Sequence, residues 1–431
     1  MAAIITNKFR IIQAQQFAAS VAANVDTYYV GIGKNTPWTV DTSPEVPTDS
    51  FSQMIRDYDD MLALKRITAS NVSTAVPSIM WTTGTVYTMF DDQDANLFSS
   101  NFYVITDEFN VYKCIYNAAG AASTVKPTGT TPGIFSTADL YQWKYMLTLS
   151  AATKNTFPSN NWVPVITLPS SDGSAQWTSQ NSSINGAIHT YKVTTGGSGY
   201  SVDPAVTVTG DGVGAVAIAH RTGDVVTSIT MSVAGTGYTY ATVSIAPPSS
   251  GVQATGRAIM SPVGGHGKDP VGELGASYIL ISTTFNTNEG GLITVGNEYR
   301  KVTMLKSPLN IGTSVVATAA VLDTTKHITA TASSGTFVAD EIITQAISGA
   351  TGRVVDYDSG AKTIRYVEYT GTFDTTHTVT GGTSGATASG TLTLVNGAIV
   401  PESGTLFYKD YRLAINRSIN QSESISVVLA F

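Results

Sequence analysis

The five histidines are the first residues to examine for chemistry, because imidazole is both a general base and a common metal ligand. They are scattered along the chain, at His189, His220, His266, His327 and His377. No two of them have the spacing of a local metal-binding motif, and the single cysteine, Cys114, brings no second sulfur ligand. The sequence therefore predicts no metal ion and no cofactor, and it predicts structural or solvent-exposed roles for these histidines.

His266 has the most suggestive surroundings of the five. It lies between glycines in the segment Gly264–Pro270, and a histidine on a flexible loop can act as a general base. No G-x-S-x-G elbow, phosphate-binding loop or kinase signature accompanies it. We interpret the segment as a turn that orders the chain between strands, and we expect that the protein is not an enzyme.

Two other patterns resemble ligand sites only at their start. Asp92, Asp94 and Asn96 open like a calcium loop, but Leu97 and Tyr103 stand where the loop needs glycine and glutamate. Gly31-Ile-Gly33 opens like a dinucleotide fingerprint, but Pro37 stands where the phosphate-binding helix should follow. The first pattern predicts an acidic turn, and we reject the second as a nucleotide site.

An internal repeat is the clearest pattern in the chain. Gly197-Ser-Gly-Tyr200 returns as Gly235-Thr-Gly-Tyr238. Aromatic rings that follow glycine turns can stack on a sugar or a partner, or they can pack against the neighbouring copy. We favour packing, and the stacking of a glycan or partner on Tyr200 and Tyr238 stays open as the alternative.

A second repeat follows at a fixed spacing. Gly335-Thr-Phe337 and Ser348-Gly-Ala-Thr351 both return 36 residues later, as Gly371-Thr-Phe373 and Ser384-Gly-Ala-Thr387. Such self-similarity predicts small supersecondary units stacked side by side. Two copies are too few for a free-standing solenoid, so we interpret the repeats as two small β modules inserted into a host domain.

The remaining chain predicts strands with a few helices. One amphipathic helix is predicted with Thr6 or Asn7 as its N-cap. A second is predicted by six apolar residues at helical spacing: Phe51, Met54, Ile55, Tyr58, Met61 and Leu62. Segments 102–106 and 111–116 predict a β-hairpin in which Cys114 is a buried small hydrophobe. The predicted fold is mainly β, a multi-domain antiparallel sandwich or barrel core with a few helices near the N-terminus. The predicted segments are an N-terminal core (1–190), the first inserted module (191–259), a core continuation (260–310), the second inserted module (311–395) and C-terminal core strands (396–431).

Composition limits the classes of partner. Only 13% of the residues are charged, the net charge is -7, and no dense cluster of Lys and Arg could neutralise a phosphate backbone. We therefore expect no nucleic acid partner. No apolar run reaches the length of a membrane span, so we expect no membrane insertion either. A weakly charged surface rich in Thr and Tyr suits large permanent protein contacts, because burying charge on assembly is costly.

Outside the two modules, several motifs occur in a fixed order. They are the opening Ile4–Arg10, the strand and G-K-x-x-P-W turn Tyr29–Trp38, the helix approach Pro47–Ser50, the strands Val111–Ile115 and Tyr141–Met146, the segment Arg300–Leu309 and the ending Ser424–Phe431. In this order they resemble the gene-product-eight family of baseplate wedge subunits from T-even-type contractile-tail bacteriophages. The resemblance covers residues 1–165, 260–310 and 396–431.

The resemblance implies a structural role. It implies a non-enzymatic, mainly β viral protein that forms a homodimer in the baseplate wedge and contacts other wedge proteins of the same virion. Such a subunit helps to couple host recognition to sheath contraction. It would be assembled in the host bacterial cytoplasm and reside in the tail baseplate. The alternative is a tail-peripheral adhesin or carbohydrate-binding protein that uses the repeat modules.

Overall fold

The computed structural model describes residues 4–431, so residues 1–3 of the predicted N-terminal core lie outside the described part. Strands account for 43% of the residues and helices for 13%, and the sheets are antiparallel. The predicted mainly β class is confirmed. The chain divides into two compact units: unit 1 holds the residues up to Gln16, Ser73–Leu280 and Val428–Phe431, and unit 2 holds Phe17–Val72 and Ile281–Val427. Each predicted repeat module lies inside one unit, and the finer segment boundaries stay a prediction.

The helices are short except for the first. They are α1 (Asn7–Ala23), α2 (Phe51–Asp59), α3 (Ala151–Thr156), α4 (Ala175–Asn181) and α5 (Pro270–Leu274). The Thr6 hydroxyl accepts a hydrogen bond from the Phe9 N–H at 3.2 Å, which gives α1 the N-cap that the sequence predicts.

The strands fall into a host set and two module sets. The host strands are β1 (Tyr28–Gly33), β2 (Met61–Ile67), β3 (Val72–Pro77), β4 (Tyr103–Ile105), β5 (Asn110–Asn117), β6 (Ile134–Ser136), β7 (Tyr141–Thr148), β8 (Trp162–Pro164), β15 (Tyr278–Asn286), β16 (Asn297–Lys306), β17 (Val321–Asp323), β24 (Thr405–Arg417) and β25 (Ser422–Ala430). The first module contains β9 (Thr190–Thr195), β10 (Val206–Gly210), β11 (Val213–Thr222), β12 (Val225–Thr236), β13 (Ala241–Ile245) and β14 (Thr255–Ile259). The second contains β18 (Lys326–Ser334), β19 (Ile342–Gln345), β20 (Ala350–Asp358), β21 (Thr363–Thr370), β22 (Val379–Gly381) and β23 (Thr387–Val395).

The host part of unit 1 is built on the four-stranded sheet β4-β5-β7-β6. Strands β4 and β5 pair antiparallel, with Val104 opposite Tyr112, so the predicted hairpin is confirmed. Cys114 is fully buried beside Trp143 and Tyr141, as predicted for a small hydrophobe. Burial raises the pKa of its thiol, which keeps the thiol protonated.

The host part of unit 2 is the five-stranded sheet β17-β2-β1-β16-β24. Strand β1 lies between β2 and β16, with Gly31 opposite Leu64 on one side and Thr303 on the other. A Cβ on Gly31 would stand 2.6 Å from Thr303 Oγ1 and 2.9 Å from Leu64 Cδ2. Close packing in a central strand therefore explains this glycine.

Helix α2 is shorter than predicted and buries a different face. It ends at Asp59, and Met61 and Leu62 belong to strand β2. Phe51 is 83% exposed, whereas Gln53, Asp57 and Tyr58 are buried. The prediction that α2 buries an apolar face that includes Phe51 was therefore wrong. The buried face of α2 instead contributes polar side chains to an ion network inside unit 2.

The two repeat modules have the same topology. The second is a closed barrel with the strand order β18-β21-β20-β19-β22-β23. The first is composed of the sheet β10-β13-β14-β9 and the two-stranded ribbon β11-β12. The strands at the same places in the second module are β19-β22-β23-β18 and β20-β21, and they are neighbours in the same order. In the closed barrel the two repeat copies interleave, because β21 of the second copy pairs with both β18 and β20 of the first, although β19 pairs with β20 of its own copy. The prediction of copies stacked side by side was wrong, since the copies interleave.

Candidate functional sites

Tyr200 and Tyr238 occupy equivalent places inside the first module. Their exposed fractions are 4% and 6%, and both belong to the module's apolar core. The Tyr200 hydroxyl accepts the Ala254 N–H at 2.8 Å, and the Tyr238 hydroxyl accepts the Ala215 N–H at 3.3 Å. Each hydroxyl thus ties its glycine turn to the main chain of the same module, in strand β11 for Tyr238 and just before β14 for Tyr200.

The glycines before these tyrosines explain the repeated motif. Gly197 and Gly199 have φ values of 66° and 85°, and Gly235 and Gly237 have 65° and 80°. A Cβ on Gly199 would lie 1.9 Å from the Ser250 carbonyl oxygen. Both the left-handed backbone and the close approach require glycine, so the repeat encodes a turn that directs a tyrosine into the core.

The repeated residues of the second module also act as barrel parts. Phe337 and Phe373 are buried in its core. The Ser384 hydroxyl accepts the Ala386 N–H at 3.1 Å, and the Ser348 hydroxyl accepts the Ala350 N–H at 3.2 Å in the other copy. The spacing of 36 residues seen in the sequence is therefore the spacing between equivalent barrel positions.

Two of the five histidines come together, and the other three lie elsewhere. The rings of His189 and His266 are 5.7 Å apart in unit 1, and the Nδ1 atom of each is buried without a hydrogen-bond partner. Burial, together with the nearby Lys144 and Lys113 ammonium groups, lowers the pKa of His189 to about 4. Burial, Lys113, His189 and Lys144 also lower the pKa of His266 well below its usual range. Both imidazoles are therefore neutral at pH 7.

A buried ion pair lies beside these histidines. Lys113 Nζ contacts Glu273 Oε2, and both side chains are almost completely buried. Glu273 also accepts the N–H groups of Gly267 at 2.9 Å and Asp269 at 3.0 Å, so it holds the loop that carries His266. This loop is a turn, as the sequence predicted, but it joins strand β14 to helix α5 and not two strands, and its histidine is buried.

A second buried ion network lies in unit 2. Lys301 Nζ on β16 is 2.8 Å from Asp57 Oδ1 and 2.6 Å from Asp60 Oδ2, and the Tyr411 hydroxyl donates to Asp57 at 2.5 Å. Burial raises the pKa of Asp60 to about 7 even though the Lys301 charge opposes it. Burial lowers the pKa of Lys301, but the charges of Asp60 and Asp57 outweigh this effect and raise it. The network joins α2, β16 and β24 through their polar side chains.

A cleft of about 370 Å³ opens beside this network. Lys34, Arg56 and Lys301 line it together with Asp59 and Glu368. Cations and carboxylates are present in similar numbers among its lining residues, so neither a simple anion nor a simple cation is favoured there. Among residues 4–431, no group of three His, Cys, Asp or Glu side chains is placed to hold a metal ion.

The acidic turn that resembles a calcium loop contacts a basic side chain. Arg257 Nη1 is 3.0 Å from Asp92 Oδ1, and Arg257 Nη2 contacts Asp91. The two carboxylates join the turn to strand β14 of the first module.

Comparison with models of protein families and with curated protein sequences finds no match to this chain. In the described residues, no helix has both the length and the apolar character needed to cross a membrane. Of these features, sequence reasoning identified the repeats, the turn at His266 and the buried Cys114. It missed both ion networks, since Lys113 and Glu273 are 160 positions apart and Lys301 and Asp60 are 241 apart.

Proposed function

We propose that this chain is a structural subunit of the baseplate wedge of a contractile phage tail, with no enzymatic activity. It would form a homodimer, link other wedge proteins of the same virion and help to couple host recognition to sheath contraction. The observation that carries the proposal is the ordered set of motifs outside the two modules. The proposal is supported by the residues of these motifs and by the contacts that the motifs make with one another.

Motifs that are distant in the sequence meet as neighbouring strands. The Tyr29–Trp38 motif contains most of β1, which pairs with β16 of the Arg300–Leu309 motif. The Val111–Ile115 motif in β5 pairs with β7 of the Tyr141–Met146 motif. Residues that resemble one family at separate places thus form continuous parts of two sheets, which favours a shared architecture over a chance match of short segments.

One side chain links two motifs directly. Arg300 donates to the main-chain oxygen of Asn35 at 2.6 Å, inside the G-K-x-x-P-W turn. The Trp38 indole of that turn donates to the main-chain oxygen of Arg412 at 2.8 Å. The turn and the arginine segment therefore depend on each other, which gives a physical reason for their joint presence.

The adhesin alternative relied on Tyr200 and Tyr238, whose rings pack inside the first module. No observation in the described residues raises this alternative above the structural role.

The proposal is tested on virions and on the purified chain. Gold-labelled antibodies raised against residues 191–259 should mark the baseplate end of intact tails, and the isolated chain should co-purify with other baseplate proteins of its virion. Light scattering should give the mass of a dimer. A stable monomer that binds no protein of its virion, together with unlabelled tails, would overturn the proposal.

A further inference from the structure

Unit 1 carries an apolar cleft with an acidic rim. Its volume is about 470 Å³, and its floor is formed by Phe90, Leu97, Phe98 and Met260. Five carboxylates line it: Asp91, Asp92, Asp94, Asp269 and Glu273. None of the lining residues within the described part of the chain is a lysine or an arginine.

The rim keeps an excess of negative charge. Arg257 pairs with Asp91 and Asp92, Lys192 Nζ is 3.3 Å from Asp91 Oδ2, and Lys113 pairs with Glu273, so three cations face the five carboxylates. The Asp94 carboxylate accepts only the main-chain N–H of Asn96, at 2.9 Å, and no cationic side chain is within ion-pair distance of it among residues 4–431. The cleft therefore favours an apolar side chain that is accompanied by a positive charge.

The first helix offers these groups. Ile4 is 86% exposed and Phe9 is 51% exposed, and Ile5 and Ile12 are also exposed. Lys8 and Arg10 lie among them, are exposed, and form no ion pair within the described chain. We call residues Ile4–Ile12 the basic apolar segment.

The segment and the cleft adjoin on one molecule. Asn7, the first residue of α1, is itself a lining residue of the cleft. The outward side chains of the segment remain exposed, so they do not fill the cleft of their own chain. A two-fold axis that passes close to Asn7 would place the basic apolar segment of each copy against the cleft of the other copy.

We propose that two copies of this chain associate by exchanging these contacts, with each basic apolar segment docked on the partner copy's acidic cleft. This inference rests on the homodimer of the proposed function and assigns its surface. The charges favour a second copy of this chain as the occupant of the cleft. Each molecule carries both a basic apolar segment and an acidic cleft, so a two-fold dimer contains the contact twice. The contact would cover exposed apolar groups at the same time as it pairs Lys8 and Arg10 with the rim.

The test uses charge reversal in the full chain. Lys8→Glu/Arg10→Glu reverses the segment, and Asp92→Lys/Asp94→Lys reverses the rim while Asp91 stays available to Arg257. Each double variant should weaken dimerisation at least about tenfold, measured by sedimentation equilibrium, because like charges then face each other twice. An equimolar mixture of the two variants should restore a heterodimer, since both of its contacts pair opposite charges.

A matched control reverses two exposed carboxylates of unit 2, Asp49→Lys/Glu402→Lys, with the same change in net charge as the rim variant. It should leave the dissociation constant unchanged, and thermal melting should show that every variant is folded. A wild-type dimer that both reversals leave intact, or variants whose mixture stays monomeric, would overturn this inference alone. A wild-type monomer would overturn it together with the predicted homodimer, and co-purification with baseplate proteins would still test the rest of the proposed function.

Discussion

The guanidinium of Arg300 holds the main-chain oxygen of Asn35 at 2.6 Å, across the pairing of β16 with β1. The same side chain donates to Asp41 Oδ1 at 2.7 Å and to Glu298 Oε2 at 2.7 Å. Hydrogen bonding from Arg300 lowers the pKa of Asp41 to about 2, so this carboxylate stays charged over the physiological range. One buried side chain therefore fixes the conformation of the whole turn after β1.

We predict that Arg300→Lys destabilises unit 2 by about 2–3 kcal/mol, because an ammonium group cannot reproduce three donors in a planar fork. Chemical denaturation followed by tryptophan fluorescence, to which Trp38 of unit 2 contributes, would measure the change. The control is Arg412→Lys, which alters an exposed ion pair with Asp410 and should lower the free energy of unfolding by less than about 1 kcal/mol. Equal effects of the two substitutions would contradict the assigned role of Arg300.

Lys301 should be the most sensitive residue of the unit 2 ion network. Lys301→Met leaves Asp60 buried without its ion-pair partner and leaves Asp57 with Lys409 alone, whose Nζ is 3.3 Å from Asp57 Oδ2, and we expect a loss of about 3 kcal/mol in the free energy of unfolding. Adding Asp60→Asn to this variant should recover part of the loss, because the carboxylate that lost its ion-pair partner is then gone. Lys126→Met, which breaks only an exposed pair with Asp107 and Glu108, is the control. A loss no larger than in this control would contradict the prediction.

Acid should destabilise unit 1 through its paired histidines. The pKa of His189 is lowered to about 4 from a usual value near 6.5, so below pH 6.5 the unfolded chain takes up protons that the folded chain does not. This contribution to stability is complete above pH 6.5 and is lost as the pH falls toward 4. The free energy of unfolding should then fall by up to about 1.4 kcal/mol per pH unit for each histidine.

The slope of this pH dependence is the measurement that matters. A His189→Gln/His266→Gln variant should show a shallower slope between pH 6.5 and 4, whatever its absolute stability. His220→Gln removes a histidine that is half exposed and should leave the slope unchanged. An unchanged slope in the double variant would show that the buried pair does not cause the acid sensitivity.

The first repeat module should be removable. We predict that a chain without residues 192–259 leaves a soluble core, because inserted modules join their host through adjacent ends. Strands β9 and β14 pair here, with Tyr191 opposite Ala258 and Thr190 opposite Ile259. Ile259 belongs to the host core, so the deletion variant should keep this residue. An Asn-Gly turn can then join Tyr191 to Ala258 in that variant. We expect a soluble protein that unfolds cooperatively by circular dichroism, and aggregation would show that the module is part of the host core.

The parts of the fold that the sequence predicted depend on local signals. The β5 hairpin, the N-cap of α1 and the glycine turns before Tyr200 and Tyr238 are each determined by residues a few positions apart. Helix α2 shows the limit of such signals: its apolar period continues through Met61, but pairing of Met61 with Gly33 of β1 begins a strand there. The ion networks could not be predicted, because the strand pairings that unite their charges join distant parts of the chain.

The topology of the modules also sets an order for folding during synthesis. All six strands of each module come from one continuous segment, so each can form as soon as its own residues have left the ribosome. The host sheet of unit 2 must wait, because β1 has no neighbour on one side until β16 is made, and β16 in turn waits for β24. Early strands with unpaired edges are prone to wrong pairing. The late-made C-terminal residues therefore decide when this sheet is complete, and a chain that is shortened at that end should leave the edge of β16 open to other molecules.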